Sequence, residues 1–430
     1  MRTGTKTIML VDMNAFYISC ETARTPELEG IPAAVAGDPK RRAGIILSGN
    51  YEARAYGVKT AMTVNEALRL CPMLELVPPD KNYYEHKSQD ILTILKRFTP
   101  VIEPNSIDEA WLDMTGTEHL WGPPVEAARK IMDTIRREER LGCSIGIAPN
   151  KYLAKMASDM KKPHGITRLT MEDVPVRLWP LPVREMPGVG RQTGSRLEAL
   201  GIQTIGDLAR MSPDYLEAIF GRTGRSLYHH AHGEGSDNVE IPDADAIKSI
   251  SRETTLSHDV TDPAEAAAII LPLADDVARQ ARAHSKKGRT VQITLRYAET
   301  MRRITRQRQV VPTDSARLIY ETGRELLDQV WDPAKPVRLI GVGVTGFAQE
   351  KNEGEAVQIG LDELLAHHAS ESVKPAANPE PVLDEIRAKL GEGAIFRGSA
   401  LKHRPKRQRD HAAGGPLNIE KRKRNMNDPG

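Results

Sequence analysis

Asn105-Ser106-Ile107-Asp108-Glu109-Ala110-Trp111-Leu112-Asp113 puts two adjacent carboxylates inside an alternating, strand-like run. Neighbouring side chains on a regular strand point to opposite faces. Asp108 and Glu109 can therefore serve one site only where the backbone leaves regular geometry between them. Pro104-Asn105-Ser106 supplies the turn chemistry for such a departure. Asp108 is expected at a hairpin bend and Glu109 where the strand begins. A lone Asp-Glu pair is usually a solvated turn, because charged side chains are mostly exposed. A third carboxylate near the N-terminus changes that reading.

Thr7-Ile8-Met9-Leu10-Val11 is a continuous apolar run, as in a central strand buried on both faces. Asp12 closes it. A carboxylate at the end of a buried strand calls for a cation, or else caps the next helix, which starts near Asn14-Ala15-Phe16-Tyr17 and runs toward Ala23. Further on, Ile45-Ile46-Leu47-Ser48-Gly49-Asn50 reads as a strand opening a helix that carries Tyr51 and Arg54. The free N–H groups of a helix start attract anions, and Arg54 adds a forked donor suited to phosphate.

Amphipathic helices are expected over Asp90–Phe98 and Val125–Arg137, a strand over Cys143–Ala148, and a helix capped by Asn150 that ends at Pro163. Lys161 and Lys162 fall in its expected last turn, where they would complement the helix C-terminus. Pro187-Gly188-Val189-Gly190 lies between apolar-periodic segments, with capped helices expected at Thr204 and at Ser212-Pro213. This is the helix-hairpin-helix pattern, in which hairpin amides grip a DNA phosphate; the alternative is an ordinary Gly-rich interhelical turn, and DNA-backbone binding is the expectation. Gly233–Ala246 is polar and turn-rich, a linker in composition.

Beyond it, Lys248–Arg252, Thr290–Tyr297, Arg302–Arg308 and Arg338–Val344 alternate as strands. Ten Lys/Arg stand against the single acid Glu299 between Arg279 and Arg308. Charges alternating with β-formers are expected together on one sheet face, a shape suited to a nucleic-acid backbone.

The 430 residues suffice for roughly three domains. Net charge is +2, with nine Lys/Arg against three Asp/Glu from Lys402 onward, so local patches rather than a global excess must carry any nucleic-acid argument. Cys20, Cys71 and Cys143 are far apart and make no metal-ligand spacing, which suits reduced core thiols of a cytoplasmic protein. No apolar run approaches a membrane span, and no signal-peptide pattern precedes Thr7.

Asp12 of Leu10–Tyr17, Ser48–Arg54, Ser106–Ala110, Lys155–Pro163 and the helix-hairpin-helix follow one another as in Y-family DNA polymerases. From about residue 6 to 348 the chain closely resembles the bacterial translesion branch of that family. The resemblance implies an α+β right hand with a ferredoxin-like palm (1–22 and 78–169), small fingers (23–77) and a helical thumb (170–238). A linker (239–246), an α/β little finger (247–348) and a flexible tail (349–430) would follow.

It implies that Asp12, Asp108, Glu109 and the Met13 carbonyl hold two Mg²⁺ ions. Tyr17 would be the steric gate against a ribose 2′-OH, and Phe16, Ser48, Tyr51, Arg54 and Lys162 would contact the dNTP. Gly188, Val189, Gly190, Arg252, Arg302, Arg303, Arg306 and Arg308 would contact primer–template DNA. A monomer that synthesises DNA past lesions without proofreading is expected.

Departures are Asn14 where the family often has an acid, with little consequence expected, Ala15 where some members have an aromatic, and Tyr17 where many have Phe. Gln358-Ile359-Gly360-Leu361-Asp362 resembles the family's sliding-clamp motif but lacks its terminal Phe, and Leu383–Ala400 is a helix-period island of unassigned role. Two other readings stand beside this one: a non-catalytic DNA-binding scaffold, which loss of any of the three carboxylates would have favoured, and a different two-metal palm enzyme such as a nucleotide cyclase.

Overall fold

The apolar run near the N-terminus becomes β1 (Ile8–Met13), buried at every position, at the centre of a five-stranded sheet. The computed structural model describes residues 6–38, 44–241, 247–347, 380–391 and 394–395. It divides into two units, 1–246 and 247–430.

In the first unit β1 is followed by α1 (Phe16–Arg24), β2 (Ala33–Ala36), β3 (Ile46–Gly49), α2 (Tyr51–Ala55), α3 (Val64–Leu70) and β4 (Glu75–Val77). Next come α4 (Lys81–Leu95), β5 (Ile102–Pro104), β6 (Glu109–Asp113), α5 (Glu118–Trp121), α6 (Pro124–Glu139), β7 (Cys143–Ala148), α7 (Lys151–Met160) and β8 (Ile166–Arg168). Four short helices complete the unit: α8 (Arg191–Ala199), α9 (Ile205–Ala209), α10 (Pro213–Phe220) and α11 (Arg222–Ala231). The large sheet runs β5-β6-β1-β7-β8, and β3-β2-β4 form a separate small sheet with its own core around Ile46, Val58 and Leu74.

Strand parity explains why β1 is buried on both faces. Met9, Val11 and Met13 pack with Ile91, Ile94, Leu95, Ile131 and Ile135 of α4 and α6, whereas Ile8 and Leu10 pack with Leu153, Ala157 and the short helices. Asp12 shares the parity of Ile8 and Leu10, so it lies on the α7 side. Gly146 of β7, level with Leu10, is what lets α7 approach. A Cβ there would stand 1.9 Å from the Ala154 carbonyl oxygen and 2.5 Å from Ser158 N, both helix backbone. Gly146→Ala is expected to lower the stability of this unit by about 3 kcal/mol or more, the upper end of overpacking costs. An unchanged calorimetric transition would contradict that packing.

Three local expectations are corrected. Helix α4 begins at Lys81, capped by the Asp80 side chain on Tyr83 N, nine residues before the apolar periodicity starts. Helix α7 ends at Met160, leaving Lys161 extended and Lys162 beyond the helix, free to reach elsewhere. The expected linker is docked over its first part: Gly233 O accepts from Asn150 Nδ2, Ser236 O from Lys151 N, Glu240 N donates to Glu103 Oε2, and Val239 is buried. Asn150, Thr204 and Ser212 cap helices as expected. All three cysteines are free and buried, and burial pushes the Cys20 and Cys143 thiols up to about 12.

The second unit is β9 (Ser249–Val260), α12 (Pro263–Ala283), β10 (Gly288–Tyr297), β11 (Arg303–Thr313), α13 (Ala316–Val330) and β12 (Val337–Phe347). Its antiparallel sheet runs β11-β10-β12-β9, with α12 and α13 on the face of Val291, Ile293, Leu295, Ile340, Val342 and Val344. Of the island Leu383–Ala400, only the first part is helical, as α14 (Glu380–Leu390); Gly391, Ala394 and Ile395 are not in a helix, and 396–400 lie outside the described residues. Arg282 of α12 bridges to Glu380 (2.8 Å) and Asp384 (2.7 Å) of α14, and Arg387 to Asp275 (2.7 Å).

The arginines do not share one face of this sheet. Register pairs Arg303 with Arg296 and Arg306 with Ile293. Arg303 thus lies on the open face and Arg306 on the helix side. Arg308 and Arg252 are also on the helix side, ion-paired to Glu325 and Asp276. Arg302 precedes the strand. A spacing of three residues reverses the face, which the charge run concealed.

Candidate active site

The β5–β6 hairpin resolves the Asp108–Glu109 problem. Asn105 N and Ser106 N both donate to Glu109 O (2.8 and 3.3 Å), closing a turn over 105–108, and β6 starts at Glu109. Glu109 pairs with Asp12 across the ladder, which puts both on the α7 side. At the bend, Met13 N donates to Asp108 O (2.9 Å), while Ser106 Oγ donates to Asp108 Oδ1 (2.6 Å). Asp12, Asp108 and Glu109 thereby line one cleft of about 300 Å³, together with Met13, Phe16, Tyr17, Ser48, Tyr51, Arg54 and Lys162. Every residue expected at the carboxylates or the triphosphate meets in this space.

Asp12 does not cap α1: the capping position is Ala15, in the left-handed region at φ 47°, with no side-chain cap. Its partners are cations. Lys162 Nζ lies 2.7 Å and Lys155 Nζ 3.0 Å from Asp12 Oδ2. Lys155 also reaches Glu109 Oε1 at 2.6 Å, and both lysines bridge to Asp159. Burial pushes Asp12 upward, but the two ammonium groups outweigh it and hold the carboxyl below its usual range. For Glu109 burial prevails over Lys155 and Asn105, so its carboxyl is raised. Both lysines are raised despite burial, because Asp12 faces them, and they stay charged.

The opposite wall comes from the small sheet. Asn50 caps α2 by accepting from Ala53 N, which uses one of the amides expected to face an anion; with five residues, α2 offers few others. Arg54 is held by its Nε donating to Gly49 O (2.9 Å), with its guanidinium 5.0 Å from the Tyr51 ring centre. Tyr17 stacks on Tyr84 (4.5 Å, 16°), whose hydroxyl donates to buried Glu21 at 2.6 Å. Burial and then the Asp108 charge raise the Tyr17 phenol, which stays neutral.

Sequence reading did not assign Lys155 or Tyr84, whose partners Asp12, Glu109 and Glu21 lie 46 to 143 positions away. Asn14 matters more than expected. Its amide donates to Ser144 Oγ and its carbonyl accepts from His164 N, tying β1 to the segment that carries Lys162. In the hairpin 187–190, Gly188 takes φ 90° and is exposed with Gly190. Val189 is different: its side chain is buried and its amide donates to Met186 O, so it anchors the turn.

As for metal ions, the donor set is carboxylate and carbonyl oxygen, the chemistry that suits Mg²⁺. Among the described residues no three Asp, Glu, His or Cys side chains converge on one point. Positive charge between Asp12 and Glu109 is supplied by Lys155 instead. The residues fit a divalent ion by type, and the Lys155 ammonium sits on one oxygen of each carboxylate, Asp12 Oδ2 and Glu109 Oε1.

A sheet with acids where its central strands meet a hairpin bend, facing a small α/β wall and joined to a helix-hairpin-helix module, is the hand-shaped frame of a template-directed polymerase. Residues 11–159 match the profile of the impB/mucB/samB family, 247–361 that family's C-terminal domain, and 184–235 the DNA polymerase-iota thumb domain. The chain is 47% identical over 399 residues to DNA polymerase IV of Alkaliphilus oremlandii, covering 92% of this chain and 98% of the relative. It is 46% identical to DNA polymerase IV of Clostridium kluyveri, again over 92% and 98% of the two chains. A solved Y-family DNA polymerase chimera, Dbh-Dpo4(243-245)-Dbh, superposes with a TM-score of 0.70 at 30% identity over 79% of this chain and 99% of that one. The chain belongs to the Y-family DNA polymerases, in the group whose members are named DNA polymerase IV.

Proposed function

We propose that the chain copies a DNA template past damaged bases by transferring a nucleotide from dNTP to a primer 3′-OH, with release of pyrophosphate and no proofreading. What supports the reading is that Asp12, Asp108 and Glu109 line one cleft together with Tyr51 and Arg54. All three carboxylates are present, which speaks against the scaffold reading. The helix-hairpin-helix module speaks against a nucleotide cyclase.

Y-family polymerases use divalent metal ions. In this chain Asp12, Asp108, Glu109 and the Met13 carbonyl would hold two Mg²⁺ ions, which when bound acidify the primer 3′-OH and stabilise the leaving pyrophosphate. The protein's own groups do the rest. Arg54 and Lys162 neutralise charge on the β and γ phosphates, Ser48 and Tyr51 donate hydrogen bonds to them, and Phe16 and Tyr17 close the sugar end. No side chain need be a nucleophile, so positioning and electrostatics carry the reaction.

Palm (1–22, 78–169), fingers (23–77), thumb (170–238) and little finger (247–348) are the proposed divisions. Gly188 and Gly190 would offer exposed backbone to DNA, and Arg302 and Arg303 would add charge. Arg252, Arg306 and Arg308 lie on the helix side of their sheet and would contribute less. The protein would act as a monomer in the cytoplasm; among the described residues no helix is long and apolar enough to cross a membrane. The candidate sliding-clamp segment Gln358–Leu361 lies outside the described residues.

Primer extension on damaged and undamaged templates, with and without a sliding clamp, tests the whole reading; failure to extend either template would sink it. The DNA role has its own test. The logarithm of primer–template affinity should fall against log salt with a slope of about −4 or steeper, each neutralised phosphate contributing about −0.9. Arg303→Ala should flatten that slope by about one unit, and Arg308→Ala should leave it nearly unchanged. Equal effects from the two variants would refute the assignment of faces.

A further inference from the structure

Among the described residues, Lys155 is the one side chain whose ion pairs reach both Asp12 (3.0 Å) and Glu109 (2.6 Å). It reaches them because Gly146 lets α7 lie against the sheet one residue before it, at Ala154. The Lys155 side chain is 22% exposed and Asp12 6%, so water shields the three groups little. Lys162 touches Asp12 alone of the two, and its second partner is Asp159.

We infer that Lys155 is a positioning residue that stands in for a divalent cation, holding Asp12 and Glu109 together in the metal-free enzyme and competing for the same oxygens. This rests on the assignment of those carboxylates, with Asp108, as metal ligands. Two consequences follow from charge alone. Without metal, loss of the ammonium leaves two carboxylates facing each other across the ladder, which is destabilising. With metal, loss of the ammonium removes repulsion between a single and a double positive charge a few ångströms apart, enough to tighten binding about tenfold.

The test is Mn²⁺ binding to the full chain by calorimetry, with the melting temperature followed beside it. Lys155→Met should bind Mn²⁺ about tenfold more tightly than wild type, melt lower without metal and gain more on its addition. Lys155→Arg, which keeps the charge, should match wild type in both readouts. A purely structural lysine would shift the melting temperature without tightening Mn²⁺. Equal or weaker Mn²⁺ binding by Lys155→Met therefore overturns the inference. Asp108→Ala separates the two levels: if it binds Mn²⁺ as wild type does, the ligand assignment itself fails. If Asp108→Ala loses Mn²⁺ while Lys155→Met binds no tighter, only the role of Lys155 fails. Should Lys155→Met fold only with metal present, Lys155→Gln is titrated in its place against the same criterion.

Discussion

Asp108→Ala should abolish primer extension, by on the order of 10³-fold or more, while affinity for primer–template is retained. The retention follows from where Asp108 sits. It lies outside the β6 ladder at the bend, and among the described residues its side chain is bonded within the turn, to Ser106. Its backbone link to Met13 is through the carbonyl, which alanine keeps. Truncation therefore removes a carboxylate from the cleft without removing a support of the sheet. Extension at the wild-type rate would show that the chemistry lies elsewhere, and loss of DNA binding would show a structural role instead.

Tyr17→Ala should admit ribonucleotides, lowering the preference for dNTP by roughly 10- to 100-fold, the equivalent of relieving an overpacking of about 1–3 kcal/mol. The ring is suited to act as a wall because it is held from behind. Tyr84 stacks on it, and the Tyr84 hydroxyl is fixed by Glu21, itself clamped by Arg24 (2.7 Å). Tyr17→Phe keeps the wall and should keep discrimination. Tyr84→Leu should loosen it and give an intermediate loss. Incorporation assays with matched dNTP and rNTP read all three, and unchanged discrimination in Tyr17→Ala would place the gate at another residue.

Much of the five-stranded sheet was legible because its signals are local. A continuous apolar run marked β1, and Pro104-Asn105-Ser106 marked the bend that lets Asp108 and Glu109 line one cleft. Caps at Asn150, Thr204 and Ser212 were legible for the same reason. What escaped depends on distant partners. The first half of α4, Lys-Asn-Tyr-Tyr-Glu-His-Lys-Ser-Gln, has no apolar period, and Tyr84 is buried there through a bond to Glu21. Lys155 opens one of the stretches that carry the family resemblance, but its contacts depend on partners on two strands far away in the chain. The polar stretch after Gly233 reads as a linker by composition, yet its backbone groups find partners at Asn150, Lys151 and Glu103. Arginine spacing in β11 misled differently: the residue types were right for a charged surface, but parity divides Arg303 from Arg306.

The most direct test of the central claim is Mn²⁺ anomalous diffraction from crystals of the chain with primer–template and an incoming dNTP. The account predicts anomalous peaks within bonding distance of Asp12, Asp108 and Glu109, with Lys155 withdrawn from the oxygens it now shares. Mn²⁺ bound elsewhere, with Lys155 still bridging Asp12 and Glu109, would contradict it.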